Sequence, residues 1–153
     1  MKTKLFTLFS FLVFNITFCQ KIVIDPTFKT TDTNIKTTEF DIEYLINDSY
    51  DKKLIDTLEV GFSKRGLGGT GIKILFTDTI NIKAFIWADY RKYNGEFEAL
   101  YDPKYFSLTI NQVKLKKGDT LMGKIQLRSK PILFRPNKPE LTFVGDFFHI
   151  IEN

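Results

Sequence analysis

The segment that decides the fold reads Ile-Asn-Ile-Lys-Ala-Phe-Ile-Trp and covers residues 80–87. Its aliphatic side chains occupy alternate positions, namely Ile80, Ile82, Ala84 and Ile86. Phe85 and Trp87 occupy the other set of alternate positions. Successive side chains of a β-strand point to opposite faces of its sheet, so this period of two predicts a strand. Because both faces carry apolar residues, we expect the strand to be buried on both sides.

The same period recurs along most of the chain. Short segments that are apolar at alternate positions, or throughout, cover residues 22–24, 40–46, 58–62, 72–76, 97–101, 106–110, 121–127 and 141–151. The best helix candidate is residues 49–58, where Tyr50, Leu54 and Leu58 follow a possible cap at Asp48. We therefore predict an all-β fold, an antiparallel two-sheet β-sandwich that is immunoglobulin-like in architecture. It would have eight or nine short strands and at most one short helix.

Turn signals separate these segments. Asn-Gly at residues 94–95 suits a tight hairpin, because both residues tolerate a positive φ. Lys-Gly-Asp at residues 117–119 predicts a second turn. Proline donates no hydrogen bond to a β-ladder, so the stretch with Pro131, Pro136 and Pro139 cannot be a central strand. We predict an edge segment or a long connection there.

The N-terminal segment has the composition of an export signal. Two lysines precede a near-continuous apolar run over residues 5–18, and the only cysteine, Cys19, follows it. The run is shorter than the ~20 residues of a membrane-spanning helix and matches a secretory signal peptide. We predict that residues 1–19 are cleaved. The exported chain would begin at Gln20, have no transmembrane span and act in the periplasm or outside the cell.

Cys19 leaves two interpretations open. Together with Thr17, it supplies the small residues that signal peptidase requires before its cut. In the alternative, Cys19 is itself lipidated and anchors the protein in a membrane, as in bacterial lipoproteins, whose motif is similar to Leu-(Ala/Ser)-(Gly/Ala)-Cys. Phe18 departs from that pattern. Without a lipidated Cys19, the mature chain has no thiol for a disulfide, a nucleophile or a metal.

Residues 20–153 have the length of one domain, and we predict a single β-sandwich domain there. The formal charge falls from +4 to +2 when the two lysines of the signal are removed. Basic residues at 114–117 and 128–138 are interleaved with apolar ones, which is typical of solvated strand faces and protected sheet edges. We therefore expect no nucleic-acid partner.

A glycine-rich stretch, Gly-Leu-Gly-Gly-Thr-Gly at residues 66–71, has the GxGxxG spacing of dinucleotide-binding loops. That motif needs a helix after it, whereas residues 72–76 alternate as a strand. The phosphate-loop pattern fails as well, because Ile72 stands where its lysine should be. We predict a loop that joins two strands and could serve as a flexible contact, with no bound nucleotide and no cofactor.

The sequence contains no convincing catalytic or metal site. His149 is the only histidine and lies in a predicted terminal strand, where a partly buried, hydrogen-bonded side chain is the usual finding. Ser63 or Ser107 could pair with it, but neither has the spacing of a nucleophile elbow. One histidine and no thiol disfavour zinc. Glu96 and Glu98 lie two apart on a predicted strand, and a glycosidase could use such a pair.

Aromatic residues concentrate between residues 85 and 106. Rings with polar edges beside hydrogen-bonding groups suit a sugar or a peptide, so the candidate ligand contacts are Trp87, Tyr90, Tyr93 and Tyr101. Core packing is the alternative for Trp87. Tyr90 and Tyr93 flank a predicted hairpin tip, where exposure is expected.

These features favour an exported, non-enzymatic binding or structural module of the bacterial cell envelope, with an envelope protein or a glycan as its partner. Two alternatives stay open. One is a small secreted hydrolase that acts on a glycan or a peptide through carboxylates, and the other is an envelope inhibitor or immunity protein.

Overall fold

A computed structural model describes residues 20–39, 42–64, 66–90, 95–133 and 137–153. The predicted signal segment, Cys19 and Tyr93 lie outside these residues. The described part of the chain forms eleven β-strands and no helix, so the predicted all-β class is confirmed, although the strands are more numerous than expected. They are β1 (Lys21–Ile24), β2 (Ile35–Glu39), β3 (Ile42–Ile46), β4 (Asp48–Lys53), β5 (Leu58–Ser63), β6 (Gly68–Phe76), β7 (Ile80–Ala88), β8 (Glu98–Tyr101), β9 (Pro103–Ile110), β10 (Thr120–Ser129) and β11 (Thr142–Ile150).

The strands form two sheets. Five of them, β4 to β8, pair in chain order as an antiparallel meander. The other six are ordered β1-β9-β10-β11-β2-β3, and all of their pairings are antiparallel except that of β1 with β9. The chain therefore crosses from one sheet to the other at Asn47 and returns at Asp102.

The core lies between the sheets. Val60 and Phe62 of β5 and Ile72 of β6 are fully buried on one side, and Phe143 and Phe147 of β11 are fully buried on the other. The rings of Phe62 and Phe147 meet with their centroids 4.9 Å apart.

For β5, β6 and β7, the face that alternation predicted to be buried lies in this core. In β3 the prediction holds for Ile46 but not for Ile42, which is 65% exposed.

The strand over residues 80–88 has one face in this core and the other on the outside of its sheet. Ala84 is fully buried on the inner face, and Phe85, on the outer face, is 3% exposed. The expectation of burial on both sides is met at Phe85, and something other than the second sheet must cover it. Nζ of Lys73 lies over the Phe85 ring, 5.1 Å from its centroid.

The predicted helix at residues 49–58 is wrong. Asp48–Lys53 is strand β4, which pairs with β5, and residues 54–57 connect the two. Ser49 and Asp51 point into the sandwich, where both side chains form hydrogen bonds with His149. A pattern that counts only apolar residues cannot detect a strand whose inner face is polar.

The short strand β2 was missed. Its residues include two threonines, Thr37 and Thr38, and β-branched side chains favour strands. Threonine was counted as polar in the alternation, which hid this segment. Ile35 and Thr37 of β2 are fully buried.

The turn predictions have mixed outcomes. Gly118 has a φ of +87° in the turn before β10, as expected. Gly95 has a φ of +88°, but β7 and β8 are joined by residues 89–97 rather than by a two-residue hairpin, and Asn94 lies outside the described residues. Pro131 and Pro139 lie in the connection between β10 and β11, as predicted. Across the described ranges, no helix is long and apolar enough to cross a membrane.

Candidate functional site

A groove of about 370 Å³ lies on the outer face of the five-stranded sheet. We call it the aromatic groove. Its aromatic lining comes from β4, β7 and the residue before β8, namely Tyr50, Phe85, Trp87 and Phe97. Polar side chains from three strands and a connection complete it, namely Asp48, Ser63, Lys64 and Glu98.

Two glycines, Gly61 and Gly71, make room for the rings, and Gly69 does not. A methyl group on Gly61 would overlap the Tyr50 ring, and one on Gly71 would overlap the Phe85 ring and the Phe62 carbonyl oxygen. A methyl group on Gly69 would lie 3.6 Å from Nε1 of Trp87, which is ordinary contact. The rings of β4 and β7 therefore lie against the backbone of β5 and β6, and the missing glycine side chains set the depth of the groove.

The glycine-rich stretch is thus not the loop that the sequence predicted. Strand β6 begins at Gly68, and Gly71 pairs with Phe85 in the register of β6 and β7. Its glycines serve close packing of rings on the sheet rather than mobility. Only Gly66 and Leu67 remain in the connection between β5 and β6.

A buried lysine lies beside the groove. Lys73 is 6% exposed, and its Nζ lies 2.6 Å from Oε1 of Glu98 and 3.2 Å from Oε1 of Glu59. The same Nζ lies 5.1 Å from the centroid of the Phe85 ring. These partners offset the cost of burying an ammonium group, which is otherwise several kcal/mol.

Tyr50 connects this ion cluster to the groove. Its hydroxyl donates a hydrogen bond of 3.1 Å to Oε1 of Glu59. Burial raises the pKa of the Tyr50 phenol, and the negative charge of Glu59 raises it further. Tyr50 therefore acts as a neutral donor that holds its ring in place over Gly61.

The four residues predicted as ligand contacts have different positions. Trp87 lines the groove. Tyr90 is 57% exposed and lies two residues beyond Ala88, but it does not line the groove. Tyr101 faces the opposite way and packs against the core, because its partner in the register is the inward-facing Ala84. Tyr93 lies outside the described residues.

Sequence reasoning missed Tyr50 as a groove residue. The helix assigned to residues 49–58 placed Tyr50 on an apolar helical stripe, whereas in a strand it lies on the face opposite Ser49 and Asp51. Recognising that Tyr50 could lie over a glycine on the neighbouring strand required the register of β4 with β5. Composition around residues 85–106 did indicate Trp87, but not Phe85 or Phe97.

His149 takes part in a hydrogen-bonded trio between the sheets. It is 6% exposed, and its Nδ1 lies 2.9 Å from Oγ of Ser49 while its Nε2 lies 2.8 Å from Oδ1 of Asp51. The expected buried, hydrogen-bonded histidine is therefore present, but its serine partner is Ser49, not Ser63 or Ser107. The Phe62 ring packs against the imidazole edge to face, with centroids 6.3 Å apart.

The carboxylate of Asp51 binds Glu152 and Asn153 in addition to His149. It accepts hydrogen bonds from the backbone N–H groups of Glu152 and Asn153 and from Nδ2 of Asn153, at 2.9 to 3.0 Å. Burial of the carboxylate opposes its ionisation, but the hydrogen bonds prevail and lower the pKa of Asp51 to about 2. We call this set of contacts the Asp51 latch, because it ties β4 to β11 and to the residues after it.

The trio resembles a catalytic triad in residue types, but Asp51 has a structural task. A triad carboxylate orients its histidine, whereas this one also holds Glu152 and Asn153. The predicted pair Glu96 and Glu98 is not on one strand, since Glu96 precedes β8. Among the described residues, no group of three or more histidine, cysteine, aspartate or glutamate side chains is placed to hold a metal ion.

The groove therefore offers aromatic surfaces and hydrogen-bonding groups to a ligand, whereas the Asp51 latch holds β4 against β11.

Comparison of the chain with protein-family models, with curated proteins and with solved structures gave no match.

Proposed function

We propose that this protein is an exported, non-enzymatic binding module of the bacterial cell envelope and that its ligand binds in the aromatic groove. We further propose that the two packed sheets belong to the immunoglobulin-like type of sandwich. The alternatives of a secreted hydrolase and an envelope inhibitor receive less support from the arrangement of the side chains.

The aromatic groove carries the proposal. Phe97 is 50% exposed and Tyr50 is 37% exposed, although a ring gains roughly 2 kcal/mol or more when it is buried. Exposed rings that surround a cavity with a few polar groups are typical of ligand sites. The rings are held rigidly, over glycines and by the ion cluster of Lys73, so binding would cost little ordering entropy.

A carboxylate hydrolase would need a proton donor in the groove. Glu98 lines the groove, but one of its carboxylate oxygens already lies 2.6 Å from Nζ of Lys73, which is a hydrogen-bond donor. Glu98 is therefore suited to accept hydrogen bonds rather than to donate a proton. This favours binding over hydrolysis.

Truncation of the exposed groove ring tests the proposed function. We expect the exported protein to retain an envelope component on an affinity column and the Phe97→Ala variant to lose at least about 80% of it, since truncating an anchor ring costs 1 kcal/mol or more. Val144→Ala is the matched control, because Val144 is also about half exposed, at 47%, but lies on the other sheet. Equal retention by all three proteins would contradict the proposal.

The intact mass of the exported protein tests its location. We expect a chain that begins at Gln20 and carries no lipid, because the apolar run ends in a cleavage pattern. A mass that includes Cys19 with a diacylglycerol and an acyl chain would instead support the anchored form. In that case Cys19→Ala would move the protein from the membrane fraction to the soluble fraction, whereas under our proposal the variant partitions as the wild type does.

A further inference from the structure

We propose that the ligand of the aromatic groove is a neutral oligosaccharide. This inference rests on the proposed function, because it names the chemistry of the ligand in the same groove. It follows from the exposure of the rings, from the charges beside them and from the size of the cavity.

Two rings of the groove are open to a ligand. Tyr50 lies over Gly61 and is 37% exposed, and Phe97 is 50% exposed. Phe85 lies over Gly71 and is only 3% exposed, so it supports the groove from within the protein. A pyranose ring has a flat face of C–H groups that packs well on exposed aromatic rings.

The charges beside the rings disfavour a charged ligand. Among the described residues, three carboxylates and two ammonium groups lie in or beside the groove, namely Asp48, Glu59, Glu98, Lys64 and Lys73. Lys73 is neutralised by its pairs with Glu59 and Glu98, and Asp48 and Lys64 carry opposite charges. The groove therefore has little net charge with which to attract a charged ligand, and a neutral polyol needs none.

The same groups suit hydroxyl groups. A sugar hydroxyl both donates and accepts a hydrogen bond, so its site needs partners of both kinds. Glu98 supplies an acceptor, since its side chain remains 37% exposed while paired with Lys73. Ser63 and Lys64 supply donors on the opposite side of the groove, where Nζ of Lys64 lies 4.8 Å from the centroid of the Tyr44 ring.

The cavity sets the length of the bound portion. At about 370 Å³ it is at the lower end of the roughly 300–1,000 Å³ of ligand pockets, so it would hold one or two sugar units. The half-exposed Phe97 lies in its lining, so further units would extend past this ring. A trisaccharide is therefore a suitable probe.

The only tryptophan of the chain, Trp87, lies in the groove and reports on its occupancy. We suggest titrating the exported protein with cellotriose, maltotriose and triacetylchitotriose while recording Trp87 fluorescence. Trilysine and trigalacturonate serve as the cationic and anionic probes. At least one neutral probe should give a saturable change with a Kd of about 1 mM or tighter, and neither charged probe should do so.

Two variants make the assignment specific. Phe97→Ala should weaken binding of the neutral probe at least about fivefold, since one stacking surface is lost, and Val144→Ala should leave it unchanged.

Saturation by a charged probe alone, or by none of the five, overturns the inference. So does a neutral probe that binds Phe97→Ala as tightly as the wild type. If no sugar binds but the affinity-column experiment still shows loss of an envelope component in Phe97→Ala, the binding function stands and only the ligand class is wrong.

Discussion

Replacing Asp51 with alanine is expected to lower the free energy of unfolding by about 3–5 kcal/mol, because the change removes the acceptor of several hydrogen bonds to a carboxylate, each worth about 1.5–3 kcal/mol. Nε2 of His149 would lose its acceptor between the sheets, and the backbone N–H groups of Glu152 and Asn153 would lose theirs. Urea denaturation of the two proteins at neutral pH measures the difference. The exposed Asp56, in the connection after β4, is the matched control, and Asp56→Ala should change stability by less than about 0.5 kcal/mol.

The Asp51 latch also predicts an acid dependence. A carboxyl group with a lowered pKa in the folded state stabilises the fold above its unfolded pKa of 3.8, and this stabilisation is lost as the pH falls through its folded pKa of about 2. The contribution is about 2 kcal/mol, at 1.36 kcal/mol per pKa unit. Between pH 4 and pH 2 the wild type should therefore lose this stability, and Asp51→Asn should not. Parallel stability curves for the two proteins would contradict the latch.

Replacing Gly71 with alanine should destabilise the protein by about 1–3 kcal/mol or more. The new methyl group would overlap both the Phe85 ring and the Phe62 carbonyl oxygen, and the latter belongs to the backbone and cannot rotate away. Denaturation followed by Trp87 fluorescence reports this loss, because Trp87 is two residues from Phe85 on the same face.

Gly69 provides a control on the same strand and the same face. A methyl group there would lie 3.6 Å from Nε1 of Trp87 and 3.9 Å from the Lys64 carbonyl oxygen, so Gly69→Ala should change stability by less than about 1 kcal/mol. Equal stability of the two alanine variants would contradict the packing of the Phe85 ring on Gly71. A mobile loop at residues 66–71, as the sequence predicts, would give that equality.

Much of the fold could be predicted because alternation is a local property of the chain. The inner faces of β5 and β7 are aliphatic or aromatic at every second position, as in Leu58, Val60 and Phe62. Apolar alternation does not predict β4, because the inner face of this strand carries Ser49 and Asp51. Their burial depends on His149, which lies a hundred residues away in the sequence, and no local pattern contains that information.

The candidate site could be predicted only in part, for a similar reason. Trp87 was identified from composition, but the groove also requires Tyr50 from a strand three positions away in the sheet. The glycines were noticed and misinterpreted. A GxGxxG spacing does not distinguish a loop around a phosphate from a strand beneath aromatic rings, and only the register Gly71 with Phe85 decides between them.

The division of the two sheets along the chain has a consequence for folding order. The five-stranded sheet uses one continuous stretch, residues 48–101, in which every pairing closes a short loop. The six-stranded sheet joins both ends of the chain, and Thr33 bonds to Phe148 across 115 positions. Local pairings form quickly and distant ones slowly, so we expect the meander to form first and the arrival of β11 to be the slow step. Until β11 has docked, the core residues Val60, Phe62 and Ile72 are exposed to water. This folding intermediate is therefore the state most prone to aggregate.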